Sequence, residues 1–132
     1  MTGLAAALDS YKTAEFQYGT LDCCLFVANL VQKLTGKDYA ERWRGKYADE
    51  SGAKRMIDEY GTLAGIASAA FGDMQPMADV RDGSPVLIGP PFVEHDSISE
   101  ALGICYNSRI YYLTEKGLAH VSLLFGRGCW HV

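Results

Sequence analysis

The chain has 132 residues, of which 48% are hydrophobic and 21% charged, with a formal net charge of −4. This length fits one domain with a substantial core, and the negative charge argues against a nucleic-acid-binding protein, which needs a basic surface. No apolar run approaches the roughly 18 residues of a membrane span, and the first residues lack the basic region of a signal peptide. We therefore expect a single domain over residues 1–132, made in a cytoplasm and without a membrane span.

The first half of the chain has the apolar periodicity of helices, with recognisable residues at their ends. Asp22 is a good N-cap, and Gly36 is suited to end the same helix in the left-handed conformation. Gly61 and Gly72 end the two helices that follow. The predicted helices cover residues 4–14, 22–34, 51–60 and 63–71.

After Pro76 the pattern changes to short strands separated by turn residues. Asn107-Ser108 joins two of them as a hairpin, while Asp82-Gly83 and Glu115-Lys116-Gly117 are turns and Gly89-Pro90-Pro91 breaks a strand. The predicted strands cover residues 84–88, 101–106, 109–113, 118–123 and 129–132. Helices followed by strands predict an α+β domain, with N-terminal helices packed on a small C-terminal antiparallel sheet.

Cys23, in the first turn of the second predicted helix, is the candidate nucleophile. The free N–H groups and the positive dipole end at a helix start lower a thiol pKa and favour the reactive thiolate. The competing interpretation is a packing cysteine, because free cysteines are often buried and Cys23 lies on the apolar helix face. Cys24 is expected to pack.

The order of these segments resembles the NlpC-type papain-like cysteine peptidases, in which a cysteine-bearing helix packs on a small antiparallel sheet. The step Tyr18-Gly19-Thr20-Leu21-Asp22-Cys23 resembles the nucleophile motif of that superfamily. Further segments, spread over nearly the whole chain, resemble a group of short phage tail proteins that are classed as NlpC-like and of uncharacterised function. These segments are Thr35-Gly36-Lys37-Asp38, Arg44-Gly45-Lys46-Tyr47, Ala101-Leu102-Gly103-Ile104, Lys116-Gly117-Leu118 and Cys129-Trp130-His131-Val132.

The resemblance implies a virion protein of the distal tail or tail-tip hub, assembled in the host cytoplasm with other tail-tip proteins as partners. One hypothesis is a cysteine endopeptidase that uses Cys23 to cleave host peptidoglycan during genome entry. The other is a structural or assembly protein that keeps the peptidase fold without a complete site. No cofactor is implied, and a nucleic-acid partner is not expected.

A thiol peptidase also needs a histidine base and a polar group that orients it. In the favoured alignment with the resembled superfamily, Ser84 replaces an aspartate after Gly83, Ala101 stands at the histidine position, and the orienting group falls near Leu113. Alanine cannot accept a proton. This alignment therefore predicts an incomplete site and favours the structural hypothesis.

A second alignment takes His120 as the base and His131 as the orienting group, and it requires an inserted hairpin before His120. His120 is then the best candidate base in the chain, against the alternative of a half-exposed strand histidine. His131 is otherwise a surface residue, and we expect no ligand or catalytic role for His95.

The remaining cysteines, Cys105 and Cys129, form no Cys-x-x-Cys pair, so neither a disulfide nor a metal site within the chain is predicted. A third hypothesis is a tail-tip subunit that binds metal through these two cysteines and ligands from a partner. Trp43, in a basic and aromatic loop, suits a sugar or protein contact, but packing on the core is the favoured interpretation. Trp130 is predicted to be a core anchor.

Overall fold

The computed structural model describes residues 2–89 and 100–132, and within them the α-helices precede the strands. Asp22, Asp49 and Thr62 cap three of the helices through their side-chain oxygens. Gly36, with φ of 83°, ends the second helix as predicted. The helices are α1 (Thr2–Asp9), α2 (Cys23–Thr35), α3 (Glu50–Glu59) and α4 (Leu63–Phe71).

The first helix is shorter than the predicted span of residues 4–14. It ends at Asp9, where the Ser10 hydroxyl donates to the Ala7 carbonyl at 2.6 Å. The backbone then tightens, because the Tyr11 N–H bonds the Leu8 carbonyl three residues earlier at 3.0 Å. A serine that bonds a nearby carbonyl competes with the helix at this point, and helical periodicity alone does not reveal such competition.

Five strands in the described part of the chain form one antiparallel sheet, in the order β4-β3-β2-β1-β5. They are β1 (Pro85–Ile88), β2 (Ala101–Tyr106), β3 (Arg109–Thr114), β4 (Gly117–Ser122) and β5 (Gly126–Cys129). Helix α2 packs against β2 and β3. The α+β class is therefore confirmed. Within residues 2–89 and 100–132, no helix is long and apolar enough to cross a membrane.

Side chains of the sheet alternate between two apolar clusters. The helix-side core contains Leu87, Leu102 and Ile104 of the sheet together with buried residues of α1, α2 and α4. The far-side core consists of Val86, Ile88, Ala101, Cys105, Ile110, Tyr112 and Cys129. Trp130 is fully buried in the helix-side core, where its Nε1 donates to Ser68 Oγ at 3.2 Å, so its prediction as a core anchor is confirmed.

The last strand begins earlier than predicted. Residues 129–132 were the expected strand, whereas β5 is Gly126–Cys129. A Cβ atom at Gly126 would overlap the side chain of Met77, and one at Gly128 would overlap Met74. The two glycines belong to the strand through their pairing with Leu87 and Ile88 of β1, and the methionine side chains occupy the space that a larger residue would need. Neither contact has a signature in local periodicity.

The β2–β3 hairpin has the predicted turn, and it gives a stability prediction. Asn107 and Ser108 both have positive φ, 52° and 62°, which suits a two-residue type I′ loop. Ser108→Gly should raise the free energy of unfolding by about 0.5–1 kcal/mol, because glycine adopts this backbone without the cost that other residues bear. Ser108→Ala, which keeps that cost, is the control in urea denaturation. Equal stability of the two variants would contradict the prediction.

Candidate active site

The carboxylate of Asp22 joins the segments that form the site. Its Oδ1 accepts from the backbone N–H of Leu25 at 3.0 Å, which caps α2. Its Oδ2 accepts from the N–H of Gly19 at 3.1 Å and from the Tyr47 hydroxyl. Asp22 is only 3% exposed, and these three donors replace the hydrogen bonds from water that its carboxylate loses on burial. Tyr47 was not recognised as its partner, because 25 residues separate them in sequence.

Cys23 is the first residue of α2 and is half-buried. It packs against the far-side core, whereas the neighbouring Cys24 packs against the helix-side core. Their Sγ atoms lie 4.0 Å apart. The predicted placement of Cys23 in the first turn of a helix is therefore confirmed, and its assignment as a nucleophile stays a prediction.

The groups around the two thiols retain their protons. The hydrogen bond with the Cys23 sulfur, and then burial, raise the pKa of the Cys24 thiol well above its usual value. Burial is the main cause that raises the pKa of the Tyr18 and Tyr47 hydroxyls, with the negative charges of Glu50 and Asp22 as the next causes respectively. If Cys23 ionises, Cys24 is therefore the donor between the two sulfurs.

A cavity of about 70 Å³ lies beside the thiols. Both cysteines line the cavity. The carboxylate of Asp22 is also in its wall and is already hydrogen-bonded. The remaining wall consists mainly of aromatic and aliphatic side chains from α2, α3, α4 and the segment between α2 and α3. They include Tyr39, Trp43, Met56, Leu63 and Ile66.

His120 lies on β4, exposed, with its ring 5.4 Å from that of its cross-strand neighbour Tyr111. Tyr111 in turn pairs with Ile104, which is in the helix-side core. Ala101, in the far-side core, lies on β2, two strands from His120 and three residues before Ile104. Standard strand dimensions put the Cα atoms of His120 and Ala101 roughly 14 Å apart. His120 also does not line the cavity beside Cys23.

His131 lies beyond β5, at the opposite edge of the sheet from β4. It is exposed, and its Nε2 is 3.2 Å from the carbonyl oxygen of Asp79. The structure therefore does not bring His120 and His131 together as a base and its orienting group. His95 lies outside the described residues.

The positions at which the resemblance expects a base and an orienting group are buried. Ala101 is 0% exposed and Leu113 is 1% exposed. Strand β1 pairs directly with β2, with Ile88 opposite Ala101. Ser84, at the position of the expected aspartate, is also buried, and its Oγ accepts from the Arg81 N–H at 3.2 Å. The side chains of Ala101 and Leu113 have no group that accepts a proton.

Cys105 and Cys129 lie inside the far-side core, 2% and 0% exposed. Burial raises the pKa of Cys105 to about 11, and the Cys129 thiol donates to the Pro76 carbonyl at 3.5 Å. Among the described residues, no group of three or more His, Cys, Asp or Glu side chains is arranged to hold a metal ion. A metal shared with a partner would require this core to open.

The basic and aromatic loop after α2 is largely packed. Trp43 is 7% exposed, with the Arg42 guanidinium 4.3 Å from its ring, so the packed interpretation is confirmed. Arg44 bonds Asp38 at 2.8 Å and Asn29 at 2.7 Å. The guanidinium of Arg44 therefore binds groups of its own chain.

Comparison with known proteins gives a family and no function. Residues 1–132 match the family described as a domain of unknown function (DUF6950), and the chain therefore belongs to that family. No curated protein and no solved structure matches the chain.

The turn before Cys23 gives a second prediction. Gly19 and Gly36 have the same φ of 83°, but a Cβ at Gly19 would overlap the Tyr47 carbonyl, whereas a Cβ at Gly36 has no atom within 4 Å. Both substitutions to alanine incur the left-handed backbone cost. Gly19→Ala should lower the free energy of unfolding by about 1–3 kcal/mol more than Gly36→Ala, measured by urea denaturation. Equal losses of unfolding free energy in the two variants would contradict the prediction and would show that the Tyr47 backbone moves aside without cost.

The Tyr47–Asp22 contact predicts how stability depends on pH. Tyr47→Phe should cost about 1.5–3 kcal/mol at neutral pH, because a buried carboxylate loses a donor. Burial raises the folded-state pKa of Tyr47 above the unfolded value of about 10, so its protonated hydroxyl stabilises the fold below pH 10. That stability is lost as the pH rises further, by roughly 1.4 kcal/mol per pH unit.

Tyr47→Phe should therefore show a shallower fall in stability above about pH 10 than the wild type in urea denaturation across pH. Tyr60 is exposed, so Tyr60→Phe is the control for loss of a hydroxyl. We expect it to change the free energy of unfolding little at neutral pH. Parallel alkaline curves for wild type and Tyr47→Phe would contradict the assignment.

Proposed function

We propose that this chain is a structural or assembly component of a phage tail tip, with an NlpC-type papain-like fold that lacks a complete peptidase site. The fold is supported by a cysteine at the start of a helix that packs on an antiparallel sheet. The observation that carries the lack of activity is Ala101, which begins the strand paired with β1 and belongs to the far-side core against which Cys23 packs.

The neighbours of Cys23 within residues 2–89 and 100–132 support an inactive site, because none of them is suited to accept its proton. Asp22 already accepts from Gly19, Leu25 and Tyr47. Cys24 and Tyr18 hold their own protons, since their pKa values are raised. A thiol peptidase needs a base within hydrogen-bond reach of the nucleophile.

A partner subunit is also poorly placed to supply the base at the expected position. Ala101, Ile88 and Val86 are each 0% exposed. An imidazole from another chain would have to displace part of the far-side core to occupy this place, and a gap or overlap in a packed core typically costs more than 1 kcal/mol. The site is therefore proposed to be silent within an assembled tail as well.

The alternative is a peptidoglycan-cleaving cysteine endopeptidase of the tail tip. The half-buried position of Cys23 in the first turn of a helix favours it, since cysteine nucleophiles are often found at helix starts. Its base would be His120, which requires that strand β4 bring the imidazole to Cys23 in a different arrangement. The two hypotheses therefore differ in one measurable property, the hydrolysis of peptide stems.

We predict that the purified protein releases no peptide fragments from peptidoglycan, as measured by mass spectrometry of the soluble products. The reason is the missing proton acceptor beside Cys23. In the phage or prophage that encodes the chain, deletion of its gene should abolish normal tails, and complementation with Cys23→Ala should restore infectious particles.

Fragment release by the wild type that is lost in both Cys23→Ala and His120→Ala would establish the endopeptidase instead. Normal, infectious tails after deletion of the gene would contradict the assembly role. His131→Ala is the control, because its ring contacts Asp79 at the opposite edge of the sheet and is expected to affect neither readout.

A further inference from the structure

The two thiols at the start of α2 are close together but have different surroundings. Cys23 packs against the far-side core and Cys24 against the helix-side core, with 4.0 Å between their sulfur atoms. We propose that they form a thiol pair with divided roles, in which Cys23 forms long-lived mixed disulfides with small disulfide molecules and Cys24 donates a hydrogen bond to the Cys23 thiolate. This modification site requires neither peptidase activity nor a histidine.

Cys23 is the reactive member because of its position. It is the first residue of a helix of 13 residues and therefore lies at the positive end of the helix dipole. Cys24 supplies a neutral S–H donor, since its pKa is raised. Among the described residues, the other titratable groups around the pair are Asp22, whose charge opposes a thiolate but is shared among its donors, and the protonated hydroxyls of Tyr18 and Tyr47.

Helical geometry prevents Cys24 from displacing the bound group. A disulfide needs sulfur atoms about 2.05 Å apart and Cα atoms about 4.4–6.8 Å apart, whereas adjacent Cα atoms are about 3.8 Å apart. A Cys23–Cys24 bond would therefore require the first turn of α2 to unwind, and with it the Asp22 cap. This differs from Cys-x-x-Cys pairs, in which the second thiol resolves the mixed disulfide.

The reaction is a thiol–disulfide exchange. The Cys23 thiolate attacks one sulfur of a small disulfide R–S–S–R, the bond between the two R–S groups breaks, and a Cys23–S–S–R bond forms. The leaving R–S⁻ takes a proton from water. The cavity of about 70 Å³ that both cysteines line gives room for a substituent of a few atoms, about half of the roughly 150 Å³ that holds a benzene ring. Small aliphatic disulfides are therefore the expected class.

The test uses bis(hydroxyethyl) disulfide as the probe and follows adduct formation on the native protein by mass spectrometry from acidic to alkaline pH. The wild type should gain one adduct, at Cys23, and release one equivalent of thiol. Cys24→Ala should react about three- to tenfold more slowly near neutral pH, because the attacking sulfur of Cys23 loses the S–H donor that lies 4.0 Å away. Cys24→Ser, which keeps a hydroxyl donor, should stay within about twofold of the wild type.

Cys105→Ser and Cys129→Ser are controls, since both thiols are buried in the far-side core, and the adduct should stay at Cys23 in each. Thermal melts establish that every variant is folded. An adduct at Cys24, equal rates for wild type and Cys24→Ala, or release of a second equivalent with a Cys23–Cys24 bond in the peptide map would overturn the proposal. Such a failure would not bear on the assembly role, which is measured in phage particles.

Discussion

The carboxylate of Asp22 is the interaction on which the rest of the site depends. It binds the turn before α2 through Gly19, the first turn of α2 through Leu25, and the loop after α2 through Tyr47. A buried carboxylate is costly unless it is surrounded by donors. The three segments must therefore come together in one arrangement, and that arrangement fixes where α2 begins and how Cys23 and Cys24 are directed.

Because α2 begins at Cys23, the two adjacent thiols lie on different sides of the helix and enter different cores. The chemistry of the pair follows from this division. Both cysteines are half-buried; Cys23 is the first residue of the helix, at its positive end, and Cys24 is a protonated donor. Among the described residues, the groups around Cys23 keep their protons or already accept hydrogen bonds.

The parts that sequence predicted are those set by local chemistry. The Asp22 cap, the Gly36 stop and the Asn107-Ser108 turn each depend on residues a few positions apart, and each was found where predicted. Strand β5 instead pairs with β1, about 40 residues earlier in the chain, and the Tyr47 contact spans 25 residues. The separation of His120 from Ala101 follows from strand register and from the face each residue occupies, which no spacing along the chain encodes.

The contrast between Cys23 and Ala101 has a thermodynamic explanation. Asp22 and the first turn of α2 stabilise the fold whether or not a reaction occurs, since they satisfy backbone N–H groups. Under the proposal of an incomplete site, a histidine at the fully buried position of Ala101 would bring no catalytic gain, and its imidazole would need a hydrogen-bond partner within an apolar core. Alanine there avoids that cost. A helix-start cysteine can therefore persist for structural reasons after its base is gone, and its presence alone is weak evidence of catalysis.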